Sequence, residues 1–269
     1  MIDILKSLVK NIKTIEFLNS DIIPWGSPII SFGNISNSKI ATLGINPSNR
    51  EFVNLNGNEL TGNERRFHTL DSLNLKEWAE ADQNHIDLIS NLCEEYFFRN
   101  PYDGWFKKLD YIISGTSMSY YFPSTEACHL DLIPYATSKK WSELTLIQKN
   151  SLLNSNCDFL GKILKKSKLE TIILNGQTVV ENLEKVSDTN LTKTEMKNWT
   201  LNRKNSNGVK GYSYKGYIQR IGHIHLNRKI RVLGFNHNIQ SSFGVSSKVQ
   251  LEIRNWISSE INISSNESK

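Results

Sequence analysis

The sequence predicts an α/β fold with a largely parallel sheet. Three features predict it: short apolar runs of strand length, helical periodicity between them, and an abrupt polar break where each run ends. Residues 2–18 open with apolar positions at helical spacing (Ile4, Leu5, Leu8, Val9, Ile12, Ile15), an amphipathic helix. Within residues 39–45, Ile-Ala-Thr-Leu-Gly-Ile is a short, mainly apolar run, the pattern of a strand buried on both faces, and Asn46-Pro47-Ser48-Asn49 stops it. Residues 127–134 form a second such strand and residues 169–174 a third, closed by Asn175-Gly176. Helical patterns fill 144–166 and 177–184. Residues 211–235 alternate as a strand pair, and a last helix over 248–261 follows a loop at 236–247. No internal repeat or strong linker divides the chain, so one domain is expected over 1–262, with a flexible polar tail at 263–269.

Composition narrows the function classes. A chain of 269 residues, 38% hydrophobic, can bury one sizeable core. No apolar run approaches the roughly 18 residues needed to span a bilayer, and the first residues lack the order of a secretory signal; no membrane association and a cytoplasmic location are expected. Cys93, Cys128 and Cys157 have no neighbours at metal-ligand or disulfide-framework spacing and read as reduced core thiols, and no metal is expected. His223-Ile224-His225 places two imidazoles on one strand face with no third ligand nearby, which suits an exposed or DNA-facing pair better than a metal site. The charge of +5 is concentrated: residues 193–231 hold ten Lys or Arg against Glu195 alone, interleaved with Trp199, Tyr212, Tyr214 and Tyr217. Phosphate-pairing charge beside flat stacking surfaces suits nucleic acid, and a solvated basic loop is the plainer explanation.

Ligands of open α/β sheets bind beyond the carboxyl ends of the strands. Four candidate positions follow: Asn46-Pro47-Ser48, Asp131, Asn175-Gly176 and Asn236-His237-Asn238. Each also has a structural explanation. Asn before Pro is a common turn former, a strand-end Asp often pairs with nearby backbone or Lys, and His237 equally suits a phosphate contact or an ordinary loop position.

Gly44-Ile45-Asn46-Pro47-Ser48 resembles the first active-site motif of the mismatch-specific branch of the uracil-DNA-glycosylase superfamily. The order of the later features is similar too: His129-Leu130-Asp131-Leu132 as the base-reading strand, Ile172-Ile173-Leu174-Asn175-Gly176, and the late loop His237-Asn238-Ile239-Gln240-Ser241-Ser242. The resemblance spans residues 39–257, with 53–103 and 187–230 standing as insertions. It implies a mostly parallel four-stranded sheet flanked by helices in three layers, here with an added β-hairpin. It also implies a monomeric, cofactor-free glycosylase that hydrolyses the base–sugar bond of a nucleotide flipped from double-stranded DNA and leaves an abasic site. Asn46 would then hold the attacking water, and His237 would donate to the departing base. Phe52 and Phe67 would stack on that base, while Ser48, Asn238, Gln240, Ser241, Ser242, Lys210, Lys215 and Arg220 would contact DNA.

Two departures from the family pattern sharpen the expectation. Asn238 and Gln240 stand where prolines normally follow the histidine, which leaves Gln240 and Phe243 as candidates for the wedge that fills the vacated stack. Asp131 stands where uracil-removing relatives carry Asn; a carboxylate repels uracil O4 and accepts from the exocyclic amine of cytosine. An enzyme attacking ordinary cytosine would destroy its own genome, so a modified cytosine is expected. The pattern is similar to antiviral glycosylases that remove glucosylated hydroxymethylcytosine from bacteriophage DNA, with Glu51, Glu59, Glu64, Arg65 and Arg66 as candidates to bond sugar hydroxyls. The alternatives are a uracil or mismatch glycosylase of base-excision repair, a nucleic-acid-binding protein whose site has lost activity, and a small-molecule hydrolase on an α/β sheet.

Overall fold

A computed structural model describes residues 1–14, 21–99, 103–203 and 206–267. The chain begins with helix α1 (Ile2–Thr14), and the rest of the expected first helix lies outside the described residues. Strand β1 (Ile40–Gly44) is followed by α2 (Gln83–Glu94), α3 (Tyr96–Arg99) and α4 (Asp103–Ile113), then β2 (Ala127–Asp131), α5 (Leu146–Lys166), β3 (Thr171–Asn175) and α6 (Gln177–Ser187). Four strands follow that carry most of the basic segment: β4 (Thr192–Glu195), β5 (Leu201–Arg203), β6 (Ser206–Val209) and β7 (Tyr212–Ile221). Strand β8 (Ile224–Phe235) and helix α7 (Ser247–Glu267) complete the fold. The tail expected from residue 263 is helical to Glu267, where α7 ends.

The main sheet has six strands, not four, in the order β2-β1-β3-β8-β7-β4. The first four are parallel, as the apolar runs predict; β1 and β3 are buried almost throughout, as strands covered on both faces must be. The two extra strands come from the 187–230 segment. Instead of standing apart, β7 pairs antiparallel along β8, and β4 pairs with β7, its four residues all exposed at the sheet edge. Strands β5 and β6 form a separate two-stranded ribbon.

Right-handed crossovers place the β1–β2 connection on one face and the β2–β3 and β3–β8 connections on the other. Accordingly α4 packs on α7, while α5 packs on α6, with α1 against α2 and α5. Local sequence sets the helix ends. Thr145 caps α5 by accepting from the Gln148 backbone while the Gln148 side chain reaches back, and Lys165 and Lys166 sit in its last turn, where cations complement the dipole. All three cysteines are buried, and burial pushes the Cys93 and Cys128 thiols up to about 12.

The strand order fixes where a ligand can sit. The chain leaves β1 toward β2 on one side and leaves β3 toward β8 on the other, so the crevice of the topological switch opens at the carboxyl ends of β1 and β3. Asn46 and Asn175-Gly176 lie there.

Candidate active site

Beyond Gly44 the chain turns through Ile45-Asn46-Pro47 into a short 3-10 turn, Asn49–Glu51, which Ser48 caps by accepting from the Arg50 backbone N–H. The stretch after β2 runs beside this turn: Leu132 and Ile133 donate to the Gly44 and Ile45 carbonyls. Half-buried Asn46 uses its Nδ2 twice, donating to the Pro47 carbonyl at 3.0 Å and to Thr137 Oγ1 at 3.0 Å. Thr137 in turn donates to the Lys139 carbonyl at 2.7 Å. A carbonyl can only accept, so the amide orientation is fixed and Oδ1 points away, with no hydrogen bond from the described residues. An outward amide oxygen on a braced side chain can orient a water but cannot act as a strong base.

One face of the neighbouring strands carries a buried polar chain. In the parallel register Thr42 lies beside His129 and Gly44 beside Asp131, so all four residues share a face. His129 Nδ1 is 2.7 Å from Thr42 Oγ1, which is also hydrogen-bonded to Tyr120 OH. His129 Nε2 lies 3.6 Å from Asp131 Oδ1, an ion-pair contact longer than a hydrogen bond. The Asp131 side chain is only 4% exposed, yet no hydrogen bond reaches it from the described residues. Its nearest charged partner among the described residues is His129, and it lies at the carboxyl edge of the sheet, where ligands of such folds bind.

Gly44 makes room for this carboxylate: a Cβ there would collide with Asp131 Oδ1 and come within 3.1 Å of His129 Nε2. Gly44→Ala is therefore expected to cost about 1–3 kcal/mol by overpacking, a fall of roughly 2–9 °C in melting temperature. In an Asp131→Ala background the same change should cost almost nothing. An undiminished penalty in that background would show that the collision is not with Asp131.

A second carboxyl lies beneath. Glu51 is buried, accepts from Tyr96 OH at 2.9 Å, and has Arg66 Nη1 3.9 Å away. Burial pushes it up to about 7; Arg66 and the Tyr96 hydrogen bond oppose that rise, and the negative charge of Asp131 adds to it. Around it stands an aromatic cluster that overturns one expectation. Phe52 and Phe67 are each 1% exposed, packed on each other and on Trp25, Phe32 and Tyr96, so neither offers an open face to a base. Glu59 is also engaged, accepting from Thr69, and Arg66 donates to the Arg50 carbonyl; Glu64 is exposed.

No family model and no curated protein matches the sequence. The site is therefore read from its own geometry.

At the ends of β3 and β8, Asn175 organises the late loop. Its Oδ1 accepts from the Ile239 backbone and its Nδ2 donates to Gln240 Oε1 at 2.6 Å, while Gly176, at φ 105°, lets that loop approach to van der Waals contact at Asn238. Asn238 caps the following turn by accepting from the Gln240 and Ser241 backbones. Asn238 and Gln240 thus serve the loop itself rather than standing ready for DNA, and Gln240 is not a protruding wedge. Phe243, 82% exposed at the loop tip, protrudes instead, with the Arg203 guanidinium 4.9 Å from its ring centre.

His237 is also corrected. It is buried, and its Nε2 donates to the Trp199 carbonyl at 2.7 Å, so the proton expected to serve a departing base is already committed. Burial, ahead of any other cause, holds its pKa below the usual histidine value, which keeps the other nitrogen a bare acceptor.

Beside His237 opens a groove of about 520 Å³ lined by Lys193, Arg203, Lys210, Tyr212, Ser242 and Phe243 among others. It collects the basic-aromatic chemistry that the sequence spread over forty residues. Of the three cations expected to face DNA, only Lys210 lines it, and Lys210 also pairs with Glu195 at 3.0 Å. Lys215 pairs with Glu260 of α7, and Arg220 pairs with Asp188. Arg220 sits opposite His225, so it lies about 30 Å along β8 from the carboxyl edge, at the wrong end of the sheet. His223 shares that far end, paired with Asp158, and no group of three or more potential metal ligands occurs among the described residues. Ser48 and Ser241 are exposed at the site edge.

Sequence reasoning missed His129, Thr42 and Arg203. The first two were within reach, because a period of two puts His129 on the same face as Asp131 and Thr42 on the same face as Gly44. Arg203 carried no signal that distinguished it from its basic neighbours.

Proposed function

We propose that the protein is a DNA glycosylase that hydrolyses the base–sugar bond of a flipped-out, modified cytosine. The observation that carries this reading is the Gly44–Asp131 register, which sets a carboxylate with no hydrogen bond from the described residues beside the Asn46 turn at the carboxyl edge of the sheet. Asn46 Oδ1 orients the water that attacks the sugar carbon, and its amide hydrogens hold it in place. Asp131 accepts from the exocyclic amine of the base, a preference over a carbonyl worth about 1–3 kcal/mol. The basic groove beyond His237 holds the DNA backbone through Lys193, Arg203 and Lys210.

Side-by-side digestion of glucosylated and unglucosylated phage DNA tests the substrate, with abasic sites expected in the glucosylated DNA alone. Equal release from both, or release from neither, would sink the assignment of a glucosylated base. A second reading, a nucleic-acid-binding protein without catalysis, draws on the commitment of His237 to Trp199. Salt-dependent DNA binding with no base release from any substrate would favour it.

The exposed loop tip gives a separate expectation. Phe243→Ala should leave stability within about 0.5 kcal/mol, since the ring buries little. It should weaken base extrusion by roughly tenfold, as loss of a stacked aromatic costs about 1–3 kcal/mol. Fluorescence of 2-aminopurine beside the target nucleotide reads the extrusion, and an unchanged signal would remove Phe243 from the wedge role.

A further inference from the structure

Asp131 Oδ1 lies 3.6 Å from His129 Nε2, and whether that nitrogen carries a proton decides whether the contact attracts or repels. The answer is set at the far end of a buried chain. His129 Nδ1 is 2.7 Å from Thr42 Oγ1, which is 2.5 Å from Tyr120 OH, and all three residues are buried. Tyr120 is enclosed by Phe97, stacked on it at 4.5 Å, and by Phe106, edge-on at 5.9 Å. Among the described residues, Thr42 is the only hydrogen-bond partner of the Tyr120 hydroxyl.

That single partner fixes the direction of the chain. If Thr42 donated to Tyr120, the phenol proton would be left unpaired among aromatic rings, a costly arrangement. Tyr120 therefore donates to Thr42, and Thr42 donates to His129 Nδ1. With Nδ1 accepting, the imidazole proton is on Nε2, the nitrogen that faces Asp131. The ring is held in this position. Phe32 and Phe106 meet it edge-on at 5.4 and 5.3 Å, and the His129 backbone exchanges two hydrogen bonds with Phe32, at 2.9 and 2.8 Å. Asp131 Oδ1 lies over Gly44, where a Cβ would collide with it. Oδ1 is thus boxed between Gly44 and the imidazole, and Oδ2 is the oxygen left for a ligand.

We propose, on the cytosine reading above, that His129 is a positioning residue acting through Asp131. The Tyr120–Thr42–His129 chain presents an N–H to Oδ1, which fixes the carboxylate and leaves Oδ2 to accept from the exocyclic amine of the base. The same arrangement sharpens the choice of base. An imidazole N–H free to swing outward could donate to the O4 carbonyl of uracil; turned to Oδ1, it leaves that carbonyl facing Oδ2, an acceptor against an acceptor.

Nitrogen-15 NMR of histidine-labelled protein reads the tautomer without DNA and without activity. The His129 signals, identified by their absence in His129→Gln, should show Nδ1 bare and Nε2 protonated. A proton on Nδ1 would overturn the direction of the chain and the proposal with it. With glucosylated hydroxymethylcytosine DNA, Thr42→Val should slow single-turnover base release about tenfold at nearly unchanged DNA affinity, and Thr42→Ser should restore the rate. His129→Leu should slow release on the order of 100-fold, the cost of a displaced carboxylate. His129→Gln, whose amide N–H can take the place of Nε2–H, should recover most of that loss. Leu outperforming Gln would show that the ring only fills space, and would overturn the proposal. Normal base release by the wild type, Thr42→Val and His129→Leu alike would also overturn it, leaving the cytosine reading standing. The expected tautomer in a protein that releases no base would overturn the cytosine reading and the positioning role with it.

Discussion

Asn46→Ala is expected to reduce the rate of base release about 100-fold while leaving DNA affinity nearly unchanged. In the proposed reaction the side chain would touch the attacking water rather than the DNA, so its loss should appear in kcat and not in KM. The magnitude follows from positioning: a water displaced by about 1 Å from its line of attack loses on the order of a hundredfold in rate. Asn46→Asp is not a simple gain of a base here. Its new oxygen would face the Pro47 carbonyl, which now accepts from Nδ2 at 3.0 Å, and two acceptors would confront each other. Thr137→Val removes the second brace on Asn46 and should give a smaller loss, roughly tenfold, which Thr137→Ser recovers. Single-turnover kinetics separate these effects from product release. An unchanged single-turnover rate in Asn46→Ala would end its role as water holder.

The elements that the sequence declared most clearly are those buried on both faces. Residues 40–44 and 171–175 read as mainly apolar runs because strands covered on both faces take few polar side chains, and the Asn-Pro and Asn-Gly breaks at their ends mark the carboxyl edge. Strand β4 was hidden for the opposite reason: Thr192, Lys193, Thr194 and Glu195 are all exposed at a sheet edge, and such a run looks like loop. Helices α2 and α3 were hidden inside a segment read as an insertion, although Asp82 and His85 cap α2 reciprocally.

The candidate site was legible only where its signal was local. Asn46 and Asp131 end strands and could be found by that alone. The Glu51–Tyr96 bond spans 45 positions and the Thr42–His129 bond 87, and no spacing rule joins such residues before the chain is folded. Phe52 and Phe67 carried the chemistry of base platforms, but an aromatic side chain serves equally well as core, and here neighbouring rings cover both. The commitment of His237 depends on a carbonyl of Trp199, a backbone partner that residue type cannot announce.

Glu51→Gln is expected to stabilise the protein at about pH 8 by up to roughly 3 kcal/mol, a stability gain obtained by removing a charge. Burial raises the folded-state pKa from the ordinary value of 4.5 to about 7, so the folded protein holds this proton more tightly than the unfolded chain. At pH 4 both states are protonated and the group contributes no penalty. As the pH rises above 4.5 the unfolded chain ionises first, and the folded state loses ground until its own carboxyl ionises near 7. Beyond that the full penalty remains. Gln cannot ionise and can still accept from Tyr96, so the two proteins should match near pH 4 and separate between 4.5 and 7. His68 runs the other way: burial, ahead of nearby cations, lowers its pKa from 6.5 to about 4, so its contribution is full above 6.5 and is lost as the pH falls through 4. That loss is common to both proteins and cancels in their difference. Urea melts of the pair at half-unit pH steps isolate the Glu51 contribution. A constant difference across the range would mean that Glu51 titrates alike in the folded and unfolded states, with Arg66 and Tyr96 offsetting the cost of its burial.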